Sequence, residues 1–88
     1  MLELEYTTQF KKDLKLSKKR GKNLGKLDPI VDLLLKEKSL PGKYKDHPLS
    51  GNYKDHRECH IESDWLLIYL QEKKVLVLVR SGSHADLF

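Results

Sequence analysis

The chain has 88 residues, 39% of them hydrophobic and 34% charged, which suits one globular domain spanning 1–88 and excludes a second domain or a disordered chain. Its longest apolar stretches, 65–70 and 75–79, fall far short of the ~20 residues that span a bilayer, and the lone Cys59 excludes an intramolecular disulfide or a zinc site on paired cysteines. The net charge of +4 is uneven: eight basic residues and a single acid, Asp13, lie between Lys11 and Lys26, so that segment carries +7 and the remainder −3. Such a field favours a polyanion. The plainer reading is a solvated lysine-rich helix face. Glu3 and Glu5 interrupt the N-terminus before a signal-peptide apolar region can form, so a cytoplasmic protein without a membrane partner is expected.

Leu2, Leu4 and Tyr6 alternate with Glu3 and Glu5, the pattern of a strand with one buried face. Thr7 and Thr8 then cap a helix starting near Gln9, with Phe10 and Leu14 one turn apart. Gly21, Asn23 and Gly25 break it. Leu27, Ile30, Val31 and Leu34 mark a second helix that Ser39–Gly42 ends. An ordered loop runs from Gly42 to Asn52, and strands are predicted at 53–61, 65–71 and 74–80, joined by hairpins. The order β-α-α-β-β-β implies an α+β domain, a small, largely antiparallel sheet with a two-helix hairpin packed on one face.

This meander should bring His60, Asp64, Trp65, Arg80 and His84 to one end of the sheet. Imidazoles, a carboxylate, a guanidinium and an aromatic ring are the parts of a site that handles a phosphodiester. Cutting RNA without a metal requires taking the 2′-OH proton, stabilising charge on the phosphate and protonating the 5′-oxygen. Histidine suits both proton transfers; arginine suits the phosphate. An exposed Trp or Phe can stack a base, and lysines can track the backbone. Each residue also has a plain reading: His60 on a solvent face, Asp64 in a turn, Trp65 in the core, Arg80 ending a strand, His47 anchoring a loop. No short histidine spacing on one helix suggests a metal site.

Three segments resemble one family: Lys43-Tyr44-Lys45-Asp46-His47-Pro48-Leu49, Arg57-Glu58-Cys59-His60-Ile61-Glu62-Ser63-Asp64-Trp65, and Arg80-Ser81-Gly82-Ser83-His84-Ala85-Asp86-Leu87-Phe88. They are similar to the YafQ-type toxins of the RelE/ParE superfamily of toxin–antitoxin systems, over nearly the whole chain. The resemblance implies a RelE-like fold and a ribosome-dependent mRNA endoribonuclease that uses no metal or cofactor. The family's active-site positions fall on His47, His60, Asp64, Trp65, Arg80, His84 and Phe88, each the residue type the family uses. His84 is expected to act as general acid. His60, oriented or charge-balanced by Asp64, and His47 serve as base and phosphate stabiliser. Arg80 neutralises the phosphate, and Trp65 and Phe88 shape or stack the nucleotide pocket. Lys45, Lys11, Lys15, Lys18 and Lys19 are expected to contact RNA. The partners implied are mRNA in the ribosomal decoding site and a cognate antitoxin whose acidic segment wraps the basic surface of a monomeric toxin. Operator DNA would be reached only through the antitoxin. A ParE-like poison of a protein target such as gyrase would need no histidine set, and a plain RNA-binding module would need only the lysines.

Overall fold

The computed structural model describes all residues 1–88. Strand β1 (Glu3–Tyr6) leads into helix α1 (Thr8–Lys19), followed by α2 (Leu27–Leu35). The hairpin meander consists of β3 (Arg57–Glu62), β4 (Trp65–Gln71) and β5 (Val75–Gly82), preceded by a two-residue strand β2 (His47–Pro48) and closed by a short helix α3 (His84–Leu87). Thr7 caps α1 as expected, its Oγ1 accepting the Phe10 N–H at 2.9 Å. The elements follow the predicted order, with β2 and α3 as additions. β3 begins later than the predicted strand because Gly51–Tyr53 forms a 3₁₀ turn and Asp55 takes a left-handed conformation, φ 69°.

The sheet order is β1-β5-β4-β3-β2, with β1 parallel to β5 and every other pair antiparallel. The central strand β4 is buried on both faces. Its residues Trp65, Leu67 and Tyr69 join Cys59, Ile61, Leu76 and Leu78 in packing against Phe10, Leu27, Ile30 and Leu34, so both long helices cover one face. Fully burying a side chain such as Phe10 or Ile30 contributes about 1.5–3 kcal/mol. The opposite face is thinly covered: Leu66 and Ile68 meet only Leu87 of α3 and the flanks of Leu49, Tyr53 and Val79.

β1 pairs only with Val75–Leu78, which leaves the outer half of β5 as an open edge. The start of α1 closes it. Thr7 donates its N–H to the Leu78 carbonyl and its hydroxyl to the Val79 carbonyl, at 3.1 and 2.7 Å. Asp13 accepts the Ser81 N–H at 3.0 Å. An edge satisfied in this way offers no template for another strand. No helix is long and apolar enough to cross a membrane.

Candidate active site

Strand register lays out the site. His47 stands opposite Glu58, Glu58 opposite Ile68, and Ile68 opposite Arg80, one row across β2, β3, β4 and β5. The next row holds His60, Leu66 and Gly82, with His84 just beyond. Ile68 and Leu66 belong to the smaller apolar cluster, so both rows lie on the face away from the two long helices. Ring centroids of His47 and His60 are 6.3 Å apart, and those of His60 and His84 5.7 Å.

Each imidazole is tethered through Nδ1 to an oxygen acceptor. His47 Nδ1 lies 2.7 Å from the Lys45 carbonyl, His60 Nδ1 3.3 Å from the Ser63 carbonyl, and His84 Nδ1 2.7 Å from Asp64 Oδ1. An acceptor at Nδ1 fixes the proton there, which leaves Nε2 as the atom that takes up and releases protons. Nε2 of His47 and of His60 lie 3.5 and 3.7 Å from the same oxygen, Oε1 of Glu58. Glu58 is buried at 4% exposure.

The loop carrying His47 is held from below. Asp46 accepts the Tyr69 hydroxyl at 2.5 Å and two Arg57 N–H groups at 3.2 and 3.3 Å. Burial, reinforced by the Asp46 carboxylate, pushes the Tyr69 phenol above its ordinary range, so it stays a donor. Lys45 adopts φ 49° to aim its carbonyl at His47.

At the other end, α3 is built on a capping box: Ser83 Oγ faces the Asp86 N–H, and the Asp86 carboxylate faces the Ser83 N–H. Arg20 of the α1 C-terminus clasps Asp86 at 2.6 and 3.2 Å. Hydrogen bonds from Arg20 and from the Ser83 backbone hold the Asp86 carboxyl well below the ordinary range. Gly82 is required beneath, because a Cβ there would lie 2.9 Å from Asp86 Oδ2. Asp64 accepts the His84 N–H at 2.9 Å as well as its ring proton, and these bonds lower its carboxyl.

Two expectations need correction. Asp64 orients His84, not His60, because the turn Glu62–Asp64 points its carboxylate at the start of α3; His60 has Glu58 as its carboxylate neighbour. Trp65 is no stacking platform: it is 1% exposed, packs in the helix-side core and donates its indole N–H to Ser81 Oγ at 3.0 Å. Phe88 is open at 64% exposure and stands edge-on to Tyr53, 5.9 Å between centroids. Arg80 enters the histidine row by register, yet its guanidinium turns to the β5 edge and binds Asp13 at 2.9 and 3.2 Å. Burial pushes the Asp13 carboxyl up, but hydrogen bonds from Arg80, Ser81 and Gln9 together outweigh it and hold the group below the ordinary range. Lys45, Lys11, Lys15, Lys18 and Lys19 are exposed and make no ion pair. The four on α1 belong to the layer opposite the histidines.

The sequence reading missed Glu58 and Tyr53. The alternation Glu58-Cys59-His60 was the available signal for the first, since it sets both polar side chains on one face. Glu58, His60 and His84 each offer a ligand atom within 4.8 Å of the others. Spacing rules overlooked this set because its members come from one strand and a separate helix. Two imidazoles and a carboxylate are a donor set suited to zinc or copper.

Residues 2–88 match the family described as bacterial toxin of type II toxin–antitoxin system, YafQ. The chain is 46% identical to the mRNA interferase toxin YafQ of Escherichia coli strain K12 over 87 residues, 98% of this chain and 95% of that one. Among solved structures, the E. coli DinJ–YafQ complex superposes with TM-score 0.92 at 45% identity, covering 100% of this chain and 99% of that one. A metal-bound toxin from Helicobacter pylori superposes at 0.94 with 49% identity, covering both chains completely.

Proposed function

The chain belongs to the YafQ family of type II toxins, and from that premise we propose that it is an mRNA endoribonuclease acting in the ribosomal decoding site. The observation that carries this reading is the convergence of three imidazoles, each tethered at Nδ1 and two of them with Nε2 beside the buried Glu58 carboxylate, next to the exposed carboxylate of Asp64.

The reaction is attack of a 2′-oxygen on the adjacent phosphorus. The P–O2′ bond forms and the P–O5′ bond breaks, leaving a 2′,3′-cyclic phosphate and a 5′-hydroxyl. One imidazole takes the 2′-OH proton and another delivers a proton to the departing O5′. His84 is the general acid, because Asp64 holds its Nδ1 and orients the ring, which leaves Nε2 as the proton-transferring atom. His60 and His47 share Glu58 and divide the roles of base and phosphate stabiliser. Arg80, held by Asp13 through Nε and Nη2, supplies the cation for the phosphate. Phe88 on Tyr53 supplies a face for a base. These side chains cover every proton and charge of the step, so no metal is required.

By the same family relation the toxin is held inactive by a cognate antitoxin, as the E. coli toxin is found in complex with DinJ. The unpaired lysines of α1 are the electrostatic counterpart for an acidic antitoxin segment or for ribosomal RNA. The free toxin is a monomer.

Primer extension on a reporter mRNA in a reconstituted translation system tests the reading. Cuts in phase with codons, present only with ribosomes and lost in His84→Ala, are expected. Cuts that persist in His84→Ala, or intact mRNA with the wild type, refute it.

A further inference from the structure

His60 borders a second feature, a cleft of about 450 Å³ lined by Lys26, Lys43, Tyr44, Lys45 and Glu62. It lies where β3 runs past the end of β2, so the outer edge of β3 has no strand partner there and the 3₁₀ turn Gly42–Tyr44 forms the wall instead. Its size falls within the roughly 300–1,000 Å³ of small-ligand pockets. The lining supplies cations and one aromatic ring, with Lys43 Nζ 5.1 Å from the Tyr44 ring centroid.

Glu62 is the exception in this lining. Its two oxygens bridge two ammonium groups, Oε1 to Lys22 at 2.8 Å and Oε2 to Lys26 at 2.7 Å. Lys43 and Lys45 have no carboxylate partner. A carboxylate that spans two lysines in this way occupies the place that two phosphate oxygens would take. All of these ion pairs are partly open to water, so an incoming phosphate can exchange for Glu62 without opening the core.

We propose that this cleft is the subsite for a nucleotide flanking the scissile phosphate, and that Glu62 fills its phosphate position in the free protein until RNA displaces it. The proposal rests on reading the histidine cluster as a ribonuclease site. It assigns Lys22 and Lys26 to the flanking phosphate, Lys43 and Lys45 to the phosphate beyond it, and Tyr44 to the base. Glu62 is a specificity element: it admits only a polyanion that can outcompete it, and it lowers the affinity for single anions.

The test is a titration of the intact toxin with a tetranucleotide carrying 2′-O-methyl riboses, which has three phosphodiesters, lacks the attacking hydroxyl and is not cut, at several NaCl concentrations. Glu62→Gln should bind about three- to tenfold tighter, the scale set by releasing two exposed ion pairs. Its salt slope should steepen by about 0.7, for the one phosphate that Lys22 and Lys26 share. A Lys43→Gln/Lys45→Gln variant should bind more weakly with a slope shallower by about 0.7, for the one phosphate the two lysines hold. Opposite signs from two surface variants with unchanged melting temperatures exclude misfolding as the cause. Unchanged affinity in Glu62→Gln overturns the proposal. So does a hexaglutamate peptide that competes equally with the tetranucleotide and responds to the same substitutions, because the cleft would then serve an acidic protein segment. Cleavage of translated mRNA is measured in parallel. If the wild type cuts but Glu62→Gln binds no tighter, the subsite alone fails. If the wild type does not cut, the ribonuclease reading fails and the subsite with it.

Discussion

Asp13→Asn tests how the edge of β5 is held. The carboxylate is buried and accepts four hydrogen bonds: Arg80 Nε at 2.9 Å, Arg80 Nη2 at 3.2 Å, the Ser81 N–H at 3.0 Å and Gln9 Nε2 at 3.0 Å. An asparagine keeps one carbonyl for the Ser81 N–H but turns an NH₂ toward the guanidinium, donor against donor. Removing one partner of a buried ion pair costs about 3–5 kcal/mol. The Arg80 side chain is 26% exposed, so water recovers part of this, and a loss of about 2–3 kcal/mol is expected. In a domain of this size that lowers the melting temperature by about 10–20 °C.

The pH dependence supplies a second readout. The Asp13 carboxyl is depressed in the folded state, so its contribution is fully present above the ordinary carboxylate range and is lost as pH falls through the depressed value. Thermal melts followed by circular dichroism between pH 2.5 and 7 should therefore show a steeper acid limb in the wild type than in Asp13→Asn, with the two curves converging at the acid end. Single-turnover cleavage at 15 °C, where the variant remains folded, should fall about 10- to 100-fold as Arg80 loses its orientation. A variant that melts within 2 °C of wild type at pH 7, or that keeps the wild-type acid limb, refutes the reasoning.

Asp46→Ala removes the acceptor of the buried Tyr69 hydroxyl and frees the His47 loop; it should cost about 1–3 kcal/mol in urea denaturation and lower cleavage more than binding. Gly82→Ala puts a methyl 2.9 Å from Asp86 Oδ2, which Arg20 and Ser83 keep from yielding; a loss of about 1–3 kcal/mol and loss of cleavage are expected in the same assays. Burial pushes the Cys59 thiol up to about 12, so its contribution is present below the ordinary thiol pKa and fades as pH rises from about 9 toward 12. The urea midpoint should fall between pH 8 and 10.5, and fall less in Cys59→Ala. Zinc bound to Glu58, His60 and His84 would occupy ring nitrogens that the proposed mechanism uses for proton transfer; added Zn²⁺ should suppress cleavage and EDTA restore it, whereas stimulation by Zn²⁺ would contradict the mechanism.

What the sequence disclosed was what local periodicity records. Alternation through Leu2–Tyr6, the helical spacing of Leu27–Leu34 and the short turns after Glu62 and Glu72 determine the order of elements, and hairpin geometry alone brings His60 near His84. The missed features depend on contacts between distant segments. Five successive residues from Trp65 to Tyr69 are buried, so the strand carries no alternation to say which face Trp65 takes. The two residues of β2 are too few for a pattern, and His47 reaches Glu58 through the β2–β3 pairing of a loop that Asp46 anchors to Tyr69, 23 positions away. The partner of Asp64 was decided by α3, whose four residues are too short for periodicity, although Ser83-x-x-Asp86 carries the signature of a capping box.

The two faces of the sheet divide labour unevenly, and the division explains which substitutions separate stability from chemistry. On the helix side, burial of Phe10, Ile30, Leu67 and Leu78 holds the fold and nothing there meets the histidines. On the other side, Leu66, Ile68 and Leu87 are too few to fix α3, so polar ties do so: the capping box, Arg20 with Asp86, and Asp64 with His84. His84 itself is over half exposed and makes little of the core, and its backbone N–H tie to Asp64 survives loss of the ring, so on the proposed mechanism its replacement should remove a proton carrier and spare the fold. The β5 edge is the exception, because Asp13 satisfies the strand and steers Arg80 with the same two oxygens. There a change made for one purpose necessarily alters the other, and stability and cleavage should move together.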